Sequence, residues 1–462
     1  MADDIEMLGA LLKKLELLIT GQVGPTGSRP PSGTYISFCA PGISIGSEDL
    51  DFGFLAQSQG NFDTAADFAS LVNTIPPVSG RFMPSDVKLN DVYKMVIRDS
   101  VLPQVSLRDD EKQAMKDAWD ILFNETKIID APTGGVKQSI VDSPLYEKYK
   151  ELAGIYDSAA LEYKSVKLDA MFSADPKAKA KWAVLGPAME KSLIRLYDNY
   201  KAVGVVIEKA LATREAIGGR GPELYWAELR KQMDIYEVQT ESGQKYLMTK
   251  YFPSKFWDET HAKNWMTFRF AHDEVHTIEE NSDIKAGLGG GFGGGLWSVS
   301  GSGNYSEQRT YFKADTSNAG LTADLMLVPL RRTWFDPVIL LNRAWDWDRN
   351  INNSVISDGG DPPTGLMPAY ITGMIVAKNV RIAIDMTSTE NASFASQLSV
   401  STSAGWGPFS VRGNYSRNYS RKTHDFVSTS SGIEIPGMQI IGFTCQTVPK
   451  TPNPDPDLNW IA

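Results

Sequence analysis

The chain has 462 residues, 42% hydrophobic and 22% charged, with a formal net charge of −10 and an isoelectric point near 5.1. That length and apolar content support two or three domains with a sizeable core and exclude a disordered chain. The acidic balance argues against a nucleic-acid binder, which needs a basic face, and two distant cysteines, Cys39 and Cys445, exclude a disulfide scaffold while leaving their pairing open.

Residues 3–20 carry Ile5, Leu8, Leu12, Leu15 and Leu18 at helical spacing. This is an amphipathic helix suited to packing or to an oligomer contact. Its acidic start (Asp3, Asp4, Glu6) lacks the basic region and cleavage site of a secretory signal. No run of about 18 apolar residues offers a transmembrane helix. The expectation is a protein synthesised in soluble, cytoplasmic form without a signal peptide, acting at a target membrane only after release.

Gly21 to Gly33 is a Gly/Pro/Ser-rich arm. Tyr35 to Ile45 reads as a strand broken at Pro41-Gly42, and Phe62 to Val72 and Asp91 to Val101 as helices. From Leu107 to about Tyr236 the signal is helical. Ser143-Pro144 supplies a cap and a first-turn proline. Leu145, Tyr149, Leu152, Tyr156, Ala159, Tyr163, Val166 and Ala170 then form one stripe. Asp175-Pro176 restarts a helix that stops at Gly218-Gly219, with Pro187 expected to kink it or mark its start. The two make a helical hairpin whose tyrosines read as packing.

After about Lys245 the period becomes two. Between Asp283 and Tyr311, Ile284, Ala286, Leu288, Gly290 and Phe292 share one side of an inbound limb. Past a glycine-rich tip the parity flips, and Trp297, Val299, Gly301, Gly303 and Tyr305 form the apolar set. Between Phe394 and Ser420, Phe394, Leu398, Val400, Ala404 and Trp406 alternate with Ser, Gln and Ala. Beyond Gly407-Pro408, Phe409, Val411, Gly413, Tyr415 and Tyr419 alternate with polar residues. The flip gives two antiparallel limbs one continuous apolar face. Each limb has about the 9–11 residues a tilted strand needs to cross a bilayer. A soluble antiparallel sheet also alternates, but here the polar face is nearly all Ser and Asn, and aromatics cluster near the tips.

The β half also reads as a tandem duplication. Gly293, Gly295, Trp297, Ser298, Val299 and Gly301 match residues from Gly405 to Gly413 at a constant offset of 112, and Gly-Asn-Tyr-Ser recurs at 303–306 and 413–416. Phe270-Ala271 and Val376-Ala377 are expected to begin comparable strands. Between the copies, Trp334 to Trp347 reads as a helical connection with a polar handle at each Trp, and Thr451 to Asn459 as a tail.

The domain expectation is 1–34, helix and arm; 35–244, mainly helical; 245–350, β repeat 1 with hairpin 283–311; 351–450, β repeat 2 with hairpin 394–420; and 451–462, tail. The fold class is α+β, with a long helical hairpin and an antiparallel β domain.

Chemistry is sparse. His272, Glu274 and His276 would share one face of a strand and form a weak metal candidate, lacking a His-Glu-x-x-His spacing and a further ligand. Glycines 287–295 contain a Gly-x-Gly-x-x-Gly register without the βαβ context of a nucleotide loop. No Gly-x-Ser-x-Gly elbow occurs. The reading is a protein that is not an enzyme and needs no cofactor. Its functional face would be Ile284, Leu288, Phe292, Trp297, Val299, Tyr305, Phe394, Leu398, Val400, Trp406, Phe409, Val411 and Tyr415.

This arrangement resembles the general plan of two-hairpin β-pore formers such as the perforin-like toxins. The resemblance covers only the hairpin pattern. The aromatic-Gly-Thr/Ser-His signature of that family is missing, so no residue roles carry over. The expected function is that of a toxin-like, homo-oligomeric pore former meeting a lipid membrane through a receptor the sequence does not name, without nucleic acid. The alternative is a self-assembling shell, tube or appendage subunit that uses the same hairpins for inter-subunit pairing.

Overall fold

A computed structural model describes residues 2–21, 32–52, 61–78, 81–105, 107–129, 136–240, 242–258, 265–281, 296–300, 309–310, 319–348, 355–384, 403–413, 426–429 and 432–460. The chain is mixed α+β, with eight helices among these residues. They are α1 (Ala2–Thr20), α2 (Phe62–Val72), α3 (Leu89–Asp99), α4 (Asp109–Leu122), α5 (Pro144–Phe172), α6 (Pro176–Gly218), α7 (Pro222–Tyr236) and α8 (Val275–Asn281).

Local chemistry sets the helical hairpin. Ser143 accepts from the Tyr146 N–H at 3.1 Å and caps α5, and Asp175 caps α6 through the Lys177 N–H. Pro187 lies inside α6, which continues past it. The surrounding turn, including Ala183 and Val184, is exposed, so water can serve the carbonyl whose partner the proline removes. Tyr149 and Tyr200 join the two helices by a 2.9 Å hydroxyl contact and stacked rings.

The main strands are β1 (Thr34–Ile45), β2 (Met266–Ala271), β3 (Trp297–Ser300), β4 (Arg309–Thr310), β5 (Gly320–Arg331), β6 (Ala369–Ala383), β7 (Ser403–Trp406), β8 (Phe409–Gly413), β9 (Gly432–Ile435) and β10 (Met438–Thr447). The principal sheet runs β1-β10-β6-β5, with β2 on the far edge of β5 and β9 continuing the β10 edge of β6. Its pairings are antiparallel. The register of β1 on β10 shifts between Phe38 and Ile43, across Pro41-Gly42.

Both faces of this sheet are covered. Ile375 and Ala377 of β6 join a core with α1, α8 and the tips of β7 and β8. Met374 and Val376, on the other side, pack with Phe68 of α2 and Phe443 of β10. A third core collects α3, α7, Trp334 and Trp345.

Several expectations change here. The N-terminal strand belongs to the C-terminal sheet, because β1 pairs with β10. Phe270-Ala271 ends β2 instead of beginning it, and Val376-Ala377 lies in mid-β6; both pair with β5. The tryptophan segment contains only one 3-10 turn, Pro337–Leu340. Its Trp334 and Trp345 indoles donate to the carbonyls of Met248 (2.8 Å) and Ile339 (3.0 Å). Thr451 is buried and bridges Ser357, so the last segment starts as packed structure. Cys39 and Cys445 are both buried free thiols.

Candidate functional site

Four short strands form a second sheet, ordered β4-β3-β7-β8. Gly407 turns the chain from β7 into β8 with φ of +55°, in the left-handed region that glycine tolerates. The register sets Trp297 opposite Trp406 and Trp406 opposite Phe409, so three aromatic residues form one row across three strands. Ring centroids are 6.5 Å apart for Trp297–Trp406 and 6.4 Å for Trp406–Phe409. Trp406, Phe409 and Val411 are each 0% exposed. The Trp406 indole N–H is buried with no hydrogen-bond partner among the described residues, an arrangement that costs about 1–3 kcal/mol.

The row is covered by α1. Met7, Leu8, Ala10, Leu11, Leu12, Leu15 and Leu18 are buried, so this helix is a core element on more than one face; Ile5, read as part of its apolar stripe, is 53% exposed. A Cβ on Gly407 would lie 3.2 Å from Leu11 and 3.3 Å from Leu8, which shows how closely the turn meets the helix.

Two polar devices hold the arrangement. In the first, the Gln439 side chain of β10 acts as an extra strand residue. Its Oε1 accepts from the Ser410 N–H at 2.5 Å and its Nε2 donates to the Ser410 carbonyl at 3.2 Å, tying β8 to the main sheet. In the second, Lys14 of α1, only 1% exposed, donates to Glu274 (2.6 Å), Asp169 (2.8 Å) and the Arg269 carbonyl (2.7 Å). It joins α1 to α5, to β2 and to the turn before α8.

This second device takes in one residue of the weak metal candidate, Glu274. His272–Glu274 form a 3-10 turn and His276 starts α8, so the three residues do not share a strand face. Glu274 is turned into the core toward Lys14. No group of three metal-binding side chains occurs among the described residues.

Burial pushes the Glu274 carboxyl up to about 7, with Asp169 and Asp273 acting in the same direction and Lys14 opposing them. The folded value thus lies above the unfolded one. The associated stability is fully present below about pH 4 and is lost as pH rises through 7. By the equivalence of roughly 1.4 kcal/mol per pKa unit, this amounts to at most about 3.5 kcal/mol. Glu274→Gln should flatten that decline in thermal melts between pH 5 and pH 8. A variant curve parallel to the parent's would show that Glu274 is not the titrating group.

Of the residues read as a functional face, Trp297, Trp406, Phe409 and Val411 come together beneath α1. The backbone of Val299 lies between Ala404 and Thr310. Ile284, Leu288, Phe292, Tyr305, Phe394, Leu398, Val400 and Tyr415 fall outside the described residues. The pairing of β3 differs from the expected 283–311 hairpin. At Val299 and Ser300 its edges are taken by β4 and β7, and the 283–292 limb of the expected hairpin lies outside the described residues. The β3–β4 closure lies at Ser300–Arg309 and the β7–β8 turn at Trp406–Phe409, so the two turns face opposite ends of the small sheet. Gln439, Lys14 and Asp169 were missed by the sequence reading; a lysine among the leucines of α1 was the one local signal.

The fold and the site define an α+β protein whose N-terminal helix meets the turn of one strand pair, where an aromatic row crosses three strands. Compared with models of known families, with curated proteins and with solved structures, the chain matches none. No helix among the described residues is long and apolar enough to cross a membrane.

Proposed function

We propose that the protein is a non-enzymatic, homo-oligomeric β-pore former that stores its membrane-inserting tips beneath α1. The observation that carries this reading is the buried Trp297–Trp406–Phe409 row, joined to segments whose sequence alternates Ser/Gly/Asn with single large apolar residues. Aromatic side chains with a polar N–H suit a membrane interface, where the indole finds water or headgroups. Buried in the core, Trp406 has no such partner among the described residues, so release of the tip removes an unfavourable term.

In this reading the 283–311 and 394–420 segments belong to two copies of one β unit, and each protomer contributes four strands. The barrel must close, because an open edge in lipid leaves backbone groups unpaired at several kcal/mol each. Insertion requires α1 to leave, Gln439 to release Ser410, and Arg309-Thr310 to yield its place on β3 to the inbound limb.

Dye release from liposomes by the purified chain tests the proposal. Leakage is expected, with rings visible in lipid. Val400→Asp places a charge on the alternating apolar face, at a cost below the about 2–4 kcal/mol that Arg or Lys incurs at the bilayer midplane. This variant should lose permeabilisation while keeping the parent's circular dichroism. Equal leakage by the variant would sink the insertion mechanism. No leakage in any lipid, with ordered particles forming in buffer alone, would replace it with the structural-assembly reading.

A further inference from the structure

A cavity of about 600 Å³ lies between the helical hairpin and the principal sheet, away from the aromatic tips. Helical spacing builds one wall. Tyr156, Asp157, Ala160 and Lys164 share a face of α5, and Tyr197, Tyr200 and Lys201 a face of α6. The sheet contributes Thr372, Thr444 and Gln446, none of them charged.

Asp157 is the unusual member. Its side chain is exposed to the cavity water. It makes no hydrogen bond or ion pair among the described residues, and Lys164, two turns along, is the one charge that acts on it. Burial pushes its carboxyl up to about 6. The cations already have partners. Lys201 pairs with Glu208 at 2.8 Å, and Lys164 donates to the Ile19 and Gly21 carbonyls at the end of α1, at 3.3 and 3.0 Å. Those two bonds leave one ammonium hydrogen of Lys164 for a further acceptor.

The tyrosines form a cation-accepting surface. Tyr156 and Tyr200 are nearly parallel, 9° apart with centroids at 6.1 Å, and Tyr197 lies 5.5 Å from Tyr156. Lys201 Nζ already stands 5.6 and 5.9 Å from the Tyr200 and Tyr197 ring centres. A neutral sugar would stack on these rings but leave Asp157 uncompensated. An ammonium compensates it, and a phosphate on the same ligand answers Lys164.

We infer that this cavity binds a small zwitterion, with an alkylated ammonium among the tyrosines beside Asp157 and a phosphate toward Lys164. The shared chemistry is that of phosphocholine, whether free or as a lipid headgroup. The site is distinct from the hairpin tips, and its binding readout does not pass through leakage.

Calorimetric titration of phosphocholine into the full chain should show saturable binding. Tetramethylammonium should bind more weakly, since it lacks the phosphate. Asp157→Asn should lower phosphocholine affinity about tenfold or more, the size of a desolvated cation contact. Its melting temperature should stay level or rise, because a carboxylate that burial disfavours has been made neutral. Phosphocholine-competed binding to phosphatidylcholine vesicles would assign the lipid source. Binding of free phosphocholine without vesicle association would assign a soluble ligand. Absence of phosphocholine binding at millimolar concentration, or a fully folded Asp157→Asn with parental affinity, overturns the site. Equal affinity for tetramethylammonium overturns its phosphate half.

Discussion

Lys14→Met is expected to destabilise the protein by about 3–5 kcal/mol at pH 8, the usual penalty for stripping one partner from a buried ion pair. The substitution keeps the side-chain volume and the helix propensity of α1, so the loss isolates the charge. It leaves the Glu274 and Asp169 carboxylates and the Arg269 carbonyl without the ammonium that now meets all three. The penalty should shrink toward pH 5. Glu274 already titrates near 7 because it is buried, and protonation removes a charge that a thioether side chain cannot compensate.

The damage should begin at α1. Limited proteolysis should cut the N-terminal helix of the variant first, while the β1-β10-β6-β5 sheet stays folded. A parental melt at pH 8 would show that the Lys14 cluster does not secure the helix. In vesicles the variant should leak at lower protein concentration than the parent, since Leu8 and Leu11 cover the Gly407 turn.

Gln439→Leu is expected to cost about 2–6 kcal/mol locally, from two buried backbone groups left unsatisfied at about 1–3 kcal/mol each. Leu removes both polar atoms and is one bond shorter than Gln, so a lesser part of the loss comes from packing. The Ser410 N–H and carbonyl bond to the Gln439 amide, and β8 has β7 as its strand partner. Without the amide, β8 keeps its ladder with β7 but is held to the principal sheet by packing alone. Hydrogen exchange over residues 409–413 should accelerate roughly 30-fold or more, by the conversion of about 1.4 kcal/mol per factor of ten. Exchange in β10 should stay at the parental rate, because its ladders with β1 and β6 remain. Unchanged exchange at 409–413 would remove Gln439 as the latch.

The two substitutions act on separate contacts of one core. Lys14 holds α1 and Gln439 holds β8. If storage is a single cooperative unit, the double variant should release less than the sum of the single effects, because residues sharing a network are not additive.

The chain's own letters carried the features whose causes are local. Ser143-Pro144 and Asp175-Pro176 announce their helices because a cap satisfies an N–H two or three residues away. Gly407-Pro408 marks a turn because only certain residues accept its backbone angles. His272 to His276 misled for a related reason. An acidic, alternating pentapeptide also suits the opening turn of a helix, and the choice fell to Lys14, 260 residues away from Glu274. Nothing near Ser410 announces Gln439, and nothing near Thr34 announces Gln446, its partner in β10.

What the sequence determined by itself was the class, α+β with a helical hairpin and alternating β segments, since helix and strand periods are written in the spacing of apolar residues. Only the tertiary structure decided that α1 is buried over the aromatic row, that β1 joins the C-terminal sheet, and that Asp157 faces tyrosines across a cavity. Those relations join residues tens to hundreds of positions apart, and burial of a charge or an indole depends on which distant surface meets it.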